Sequence, residues 1–216
     1  MGCKAIRLIS DRKDDAAIGI GTMIIFIAMI LIAGIAASVL IQTMDQLQSQ
    51  AMRTGQDVIG DVSTGIRINQ ISGKVDSSKI SNLAIMISPI LSMSHVDLSS
   101  VIISLSDTNT EVFLSYNPNC YAPSADLGLF NSINTSMLQS NEFGLIVIRD
   151  TDASCTQYTP TINEEDIIVI MVNTTSCFSG IAGRTEVYGR ITPEQGISAV
   201  ISFTVPSVLL SVIIDL

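Results

Sequence analysis

The residues of this chain whose types could do chemistry are few: one histidine, four cysteines, two groups of carboxylates and two Asn-x-Ser/Thr triplets. His95 would have to serve any Ser/His/Asp arrangement, yet no Gly-x-Ser-x-Gly elbow accompanies it and no nucleophile is tied to it by spacing. No catalytic residue and no cofactor is therefore assigned, and an enzyme is not expected. Asp150/Asp152 and Glu164-Glu165-Asp166 flank one loop and offer the oxygen donors that a hard cation such as Ca²⁺ takes. Their spacing is not that of an EF-hand loop, so solvated loop carboxylates are the expectation and no metal is assigned. Asn134-Thr135-Ser136 and Asn173-Thr174-Thr175 fit the N-glycosylation triplet and fall in predicted loops or strand ends.

These groups lie in the part of the chain that reads as β-structure. After Gly73 the pattern shortens to β-rich runs at 80–90, 101–105, 111–116, 144–150, 166–173, 184–191, 197–205 and 208–214. Turn-forming clusters such as Ser106-Asp107-Thr108-Asn109 and Pro193-Glu194-Gln195-Gly196 separate them. About eight short strands with no helical pattern between most of them predict an antiparallel, immunoglobulin-like β-sandwich over 73–216. Residues 127–138 read as a long loop with one helical turn. If the strands at 111–116, 144–150 and 166–173 alternate in direction, Cys120 and Cys177 meet at one edge and Cys155 lies at the other. Cys120 and Cys177 are then the disulfide candidate, although the long 117–143 connection can reverse that parity.

Ahead of this domain stands an uncharged apolar run, 18–41, preceded by a leader carrying Lys4, Arg7, Asp11, Arg12, Lys13, Asp14 and Asp15. At ~1.5 Å per residue the run makes a helix of roughly 36 Å, enough to cross a ~30 Å hydrocarbon core. It is too long for an ordinary secretory signal, whose apolar core is ~7–15 residues and is removed. The small residues Ala16 and Ala17 at the junction suggest a cut on the N-terminal side, which keeps the helix. From Gln42 onward Met44, Leu47, Ala51, Val58, Val62 and Ile66 form a stripe at helical spacing among polar residues. One helix of about 50 residues is predicted, apolar all round and then amphipathic, stopping at Ser72-Gly73. Its striped half should be covered by the sandwich. The domain plan is thus 1–16 leader, 17–72 helix and 73–216 sandwich, an α+β chain.

Gly19, Gly21, Ala28, Ala33, Gly34, Ala37 and Ser38 punctuate the apolar half. Ala33/Ala37 and Gly34/Ser38 are small-xxx-small pairs of the kind that let helices approach closely in lipid. The same residues fit a lone anchor, and spacing alone does not choose between the two.

A charged leader, a small residue at the junction and then Gly19-Ile20-Gly21-Thr22-Met23-Ile24-Ile25-Phe26-Ile27-Ala28-Met29 resembles the archaeal flagellins, or archaellins. Their pattern runs Gly-Ile-Gly-Thr-Leu-Ile-Val-Phe-Ile-Ala-Met. The likeness is close over 16–43, and beyond it only the order of elements agrees. Ala16 follows Asp14-Asp15 where the family usually has a glycine preceded by basic residues. Gly21 stands where bacterial type IV pilins carry glutamate at the fifth mature position. The resemblance implies cleavage between Ala16 and Ala17 by a prepilin-type (class III) signal peptidase. It also implies self-association of the small-residue helix into a filament core, and a membrane assembly and rotation machinery as partner. The product would be an extracellular archaellum filament for swimming, with its precursor in the cell membrane.

Charge agrees with export. The formal net charge is −9, and the leader carries four basic against three acidic residues, so its removal leaves −10. Nucleic acid is excluded as a partner, because phosphate binding needs clustered Lys and Arg. The basic residues of the leader place the N-terminus in the cytoplasm and the bulk of the chain outside. Two alternatives stand beside the filament subunit: an adhesion pilin of the same secretion class, and a singly anchored surface protein that binds a ligand.

Overall fold

The long helix, α1, runs from Gly2 to Ser63 in the computed structural model, which describes residues 2–90, 95–163, 165–209 and 211–216, with side chains from Ile18 onward. No proline occurs before Pro89 to break it. It ends about nine residues before the predicted stop. Thr64 N still bonds Gly60 O at 2.8 Å, but the chain then turns extended at Gly65 and enters β1, Ile66–Asp76. Ile66, counted above as the last member of the helical stripe, is instead the first buried residue of that strand. A single apolar residue at the end of a series fits both periods, and the β-branched alternation of Ile66-Arg67-Ile68 decided it. The expected boundary at 72/73 therefore falls inside β1. Packing divides the chain into two units, Met1–Gln56 and Asp57–Leu216.

In the second unit β1 turns back through Ser77-Ser78 into β2, Lys79–Pro89. Both serines have positive φ, 51° and 66°, the backbone that a two-residue hairpin needs and that Asn-Gly normally signals. Then follow β3 (Val96–Asp97), β4 (Ile102–Ser106), β5 (Glu111–Ala122), β6 (Glu142–Arg149), β7 (Thr161–Ile162) and β8 (Ile167–Asn173). A short helix α2 (Thr174–Phe178) leads to β9 (Ile181–Ala182), β10 (Glu186–Thr192), β11 (Ala199–Thr204) and β12 (Ile213–Asp215).

The main sheet has the order β11-β10-β4-β5-β6-β8-β2-β1-β12, with β9 beside β2 and a separate β3–β7 pair. It is antiparallel, as expected, except that β5 and β6 run parallel. β5 joins two layers: Glu111–Leu114 pair with β4, and Ser115 through Ala122 pair with β6. Ile103, Leu105, Val187, Ile191 and Ile201 from one arm then pack in the same core as Leu83, Ile85, Ile87, Leu145, Ile168, Ile170 and Val172 from the other.

β8 is buried on both faces, which is why its sequence is the continuous run Ile-Ile-Val-Ile-Met-Val rather than an alternation. Val169 and Met171 face a second, smaller core with Cys120, Phe130, Ile133, Leu138 and Ile146. The 123–141 connection, with its single 3₁₀ turn Thr135–Met137, supplies Phe130, Ile133 and Leu138 to that core.

The part of the stripe that belongs to the second unit is not covered as predicted. Val58 and Val62 are 55% and 66% exposed, and Leu47 is 64% exposed. This contrast sets a test. Ile170→Ala, at a site with no exposure, should cost about 2–5 kcal/mol and lower the thermal midpoint of the β-rich transition. Leu47→Ala should leave that transition unmoved in the same circular-dichroism melt.

Candidate functional site

The largest feature that could act on a partner is the face of α1. Residues Ile18, Ile24, Phe26, Leu31, Ile35 and Leu40 are each more than half exposed, and an 18-residue window of the helix reaches a mean hydropathy of 3.0 with none of it buried. A side chain such as Leu or Ile gains ~1.5–3 kcal/mol when it leaves water, so this surface requires lipid or protein against it. Gly19, Ala28, Ala33, Gly34, Ala37 and Ser38 are exposed along it, with Gly21 half-buried. A Cβ added at Gly19, Gly21 or Gly34 would meet nothing within 4 Å, leaving those positions open to close approach by another helix. Thr22 and Thr43 return their hydroxyls to Gly19 O and Leu40 O at 2.9 Å, so each hydroxyl is satisfied within the helix itself. The junction Ala16–Ala17 lies outside the residues whose side chains are described.

The second feature is a turn of carboxylates after β6. Ligand oxygens of Asp150, Asp152 and Asp166 lie within 4.8 Å of one another. Asp166 is fully buried and accepts from Asn163 N and Thr151 N, so it is not the solvated loop carboxylate expected. Asp150 accepts from Ser154 N and Cys155 N, and Asp152 from Ser154 N and the Asn163 side-chain amide. Glu165 points its chemistry elsewhere, pairing with Arg149 at 3.4 Å, and Glu164 lies outside the described residues. Asn163 and Ser154 were not singled out from sequence, although an Asn three residues before an Asp is a turn signal. Three carboxylates at this separation repel one another, and oxygen donors of this kind suit a hard cation. Bonds from Asn163, then from Ser154, hold Asp152 down at about 2.

Two groups are placed differently from the sequence reading. Cys120, Cys155 and Cys177 are free thiols, so the Cys120–Cys177 bridge is not formed. The parity argument assumed alternating strands, whereas β5 and β6 run parallel and the 117–143 connection reverses the direction. Cys120 belongs to the smaller core, while Cys177 donates to Ser140 O at 3.3 Å. Burial pushes the Cys155 thiol up to about 12 and Cys177 to about 11, which leaves both protonated and poorly nucleophilic at neutral pH. Of the two glycosylation triplets, Asn134 is exposed at the start of the 3₁₀ turn, with its side-chain oxygen accepting from Ser136 N. Asn173 is 9% exposed, caps α2 through Thr175 N and Ser176 N, and donates its amide to Thr135 O at 2.9 Å. That amide is occupied in the folded chain. His95 is exposed and shares a cleft with Val96, Asp97, Glu194 and Gln195, none of them a nucleophile of the Ser/His/Asp type.

An apolar helix with a small-residue face, followed by a folded-over sheet, is a combination that comparison with known proteins resolves. Residues 16–203 match the family model of archaeal-type flagellin. The chain belongs to the archaeal-type flagellin family. Flagellin B2 of Methanocaldococcus jannaschii is 41% identical over 205 residues, 93% of each chain. The crystal structure of archaeal flagellin FlaB1 from Methanocaldococcus jannaschii aligns with a TM-score of 0.63 at 29% identity, over 70% of this chain and 96% of that one. A chain of the archaeal flagellum of Methanospirillum hungatei strain JF1 shares the fold at a TM-score of 0.62 and 11% identity, over 88% of this chain and 95% of its own.

An archaeal-type flagellin is a structural filament subunit. The carboxylate turn is held by hydrogen bonds from Ser154, Cys155 and Asn163 within the β unit. Asp152 has its folded value lowered from 3.8 to about 2. Its contribution is present above the ordinary value and is lost as pH falls through the folded one. The thermal midpoint should therefore drop between pH 4 and 2 more steeply in the natural chain than in Asp152→Asn. Parallel pH profiles of the two proteins would reject this role for Asp152.

Proposed function

We propose that this flagellin is made as a membrane precursor, is cut between Ala16 and Ala17 by a prepilin-type signal peptidase, and polymerises through α1 into an extracellular filament used for swimming. The observation that carries this reading is the bare face of residues 18–41. Their Ile, Leu, Val and Phe side chains are worth roughly −4 to −8 kcal/mol of insertion free energy, so the precursor is stable in the bilayer. Leaving it requires replacement contacts of the same kind. Other copies of the same helix supply them, and head-to-tail association that does not close produces a helical filament. Packing is placed at Gly19, Gly21, Ala28, Ala33, Gly34, Ala37 and Ser38, where side-chain bulk is least.

The β unit would then present the solvent-facing surface, acidic and carrying a glycan at Asn134. A membrane-embedded assembly and rotation machinery is the remaining partner that swimming requires. An adhesion pilin or a singly anchored binding protein is not favoured, since family membership points to flagellins.

Mass spectrometry of sheared filaments tests processing and modification together. The mature chain should begin at Ala17, with glycan on the peptide containing Asn134 and none on that containing Asn173. A start at Met1 or near Ser38 would end the processing argument. Gly34→Leu should reduce filament yield at least severalfold while the β unit keeps its melting profile. Normal filaments from that variant would remove close helix packing from this face.

A further inference from the structure

Among the described residues, main-chain hydrogen bonds tie the end of α1 to the loop before β11 and to the residue after β2. Thr64 O accepts from Ile197 N at 2.8 Å, Ile66 N donates to Ile197 O at 3.4 Å, and Ile90 N donates to Gly65 O at 3.0 Å. Gly65 and Ile197 form a parallel bridge outside the named strands. Four stretches of chain thus meet at one point: the last turn of the helix, the start of β1, the residue after β2 and the loop before β11.

Two glycines make the approach possible. A Cβ on Gly65 would fall 2.8 Å from Ile90 Cδ1 and 2.9 Å from Ile197 O. A Cβ on Gly196 would fall 2.2 Å from Thr64 O and 2.5 Å from Thr64 C, and the residue also has φ of +100°. Backbone and Ile197 Cβ close the space on both sides, so no rotamer change makes room for a larger residue. The neighbouring helix side chains Val58, Ile59 and Val62 are 55%, 69% and 66% exposed. A helix joined to a domain by one covalent strand swivels about the φ and ψ of the linking residues. Here those dihedrals are fixed at 64, 65 and 66 by bonds to residues 90 and 197.

We propose that the Thr64-Gly65 and Gly196-Ile197 pair is a clasp that carries mechanical load between the polymerised helix and the β unit. It removes the swivel, so twist and shear applied to one are delivered to the other. This rests on the filament reading. Its role is separate from assembly, because none of the clasp residues lies on the apolar run.

The test uses full-length chains with Gly196→Ala and Gly196→Val, and Gly128→Ala as control. Gly128 also has positive φ, +87°, but has open space around it, so it adds backbone strain without the clash. Natural filaments must form first; if they do not, the filament reading fails and not the clasp. In filaments of the Gly196 variants, amide hydrogen exchange at Ile66 and Ile197 should rise roughly tenfold or more. A nitroxide on the β unit should gain amplitude of motion, and swimming speed should fall severalfold at normal filament yield. The control should match the natural chain in all three. Faster exchange with unchanged label motion and speed would overturn the proposal. So would unchanged exchange, or a folded variant that gives no filaments, which would place Gly196 in assembly.

Discussion

The uncovered face of residues 18–41 is the constraint from which the rest follows. An apolar helix of this length cannot remain in water, and none of its apolar window is buried among the described residues. It needs lipid or protein against it. The β unit answers the opposite requirement: it is acidic and closes its own cores. The chain is therefore two solvents' worth of protein joined in series, with the amphipathic stretch from Gln42 to Ser63 as the gradient between them.

Within the β unit the arrangement depends on β8. Its two faces serve two cores, one shared between the layers and one beneath the 123–141 connection. β5 makes the layers one object, since a single strand gives its first half to β4 and its second to β6. Separating the layers would need that strand to break its pairing on one side. The parallel step from β5 to β6 is what requires the long connection, because a hairpin cannot join parallel strands.

Much of this was legible in order and type. The runs at 80–90, 101–105, 144–150 and 166–173 correspond to β2, β4, β6 and β8 with ends moved by one or two residues. What was lost has physical causes. β1 was hidden because Ile66 prolongs a helical series and because a Ser-Ser turn does not announce a hairpin. The two-residue strands β3, β7 and β9 are too short for any periodicity. The parallel pair and the failed Cys120–Cys177 bridge are facts of long-range pairing, which strand-by-strand reading does not contain. The small-residue face of α1 was legible by composition and the gathering of Asp150, Asp152 and Asp166 by their places on either side of one loop, whereas Asn163 and Ser154, which the chain's return brings among them, were not.

The second core has a consequence for how this surface can change over generations. β8 walls it off from the main core, and its roof is a connection with few backbone bonds to any strand. Residues such as Leu127, which is 74% exposed, and Met137, at 57%, stand on the outside of that roof while Phe130, Ile133 and Leu138 hold it down. Three anchors are enough to seat the segment, so the residues between them are free to diversify without disturbing strand register. A structural filament subunit gains from such a region. Its appearance can drift while the scaffold that bears it stays constant.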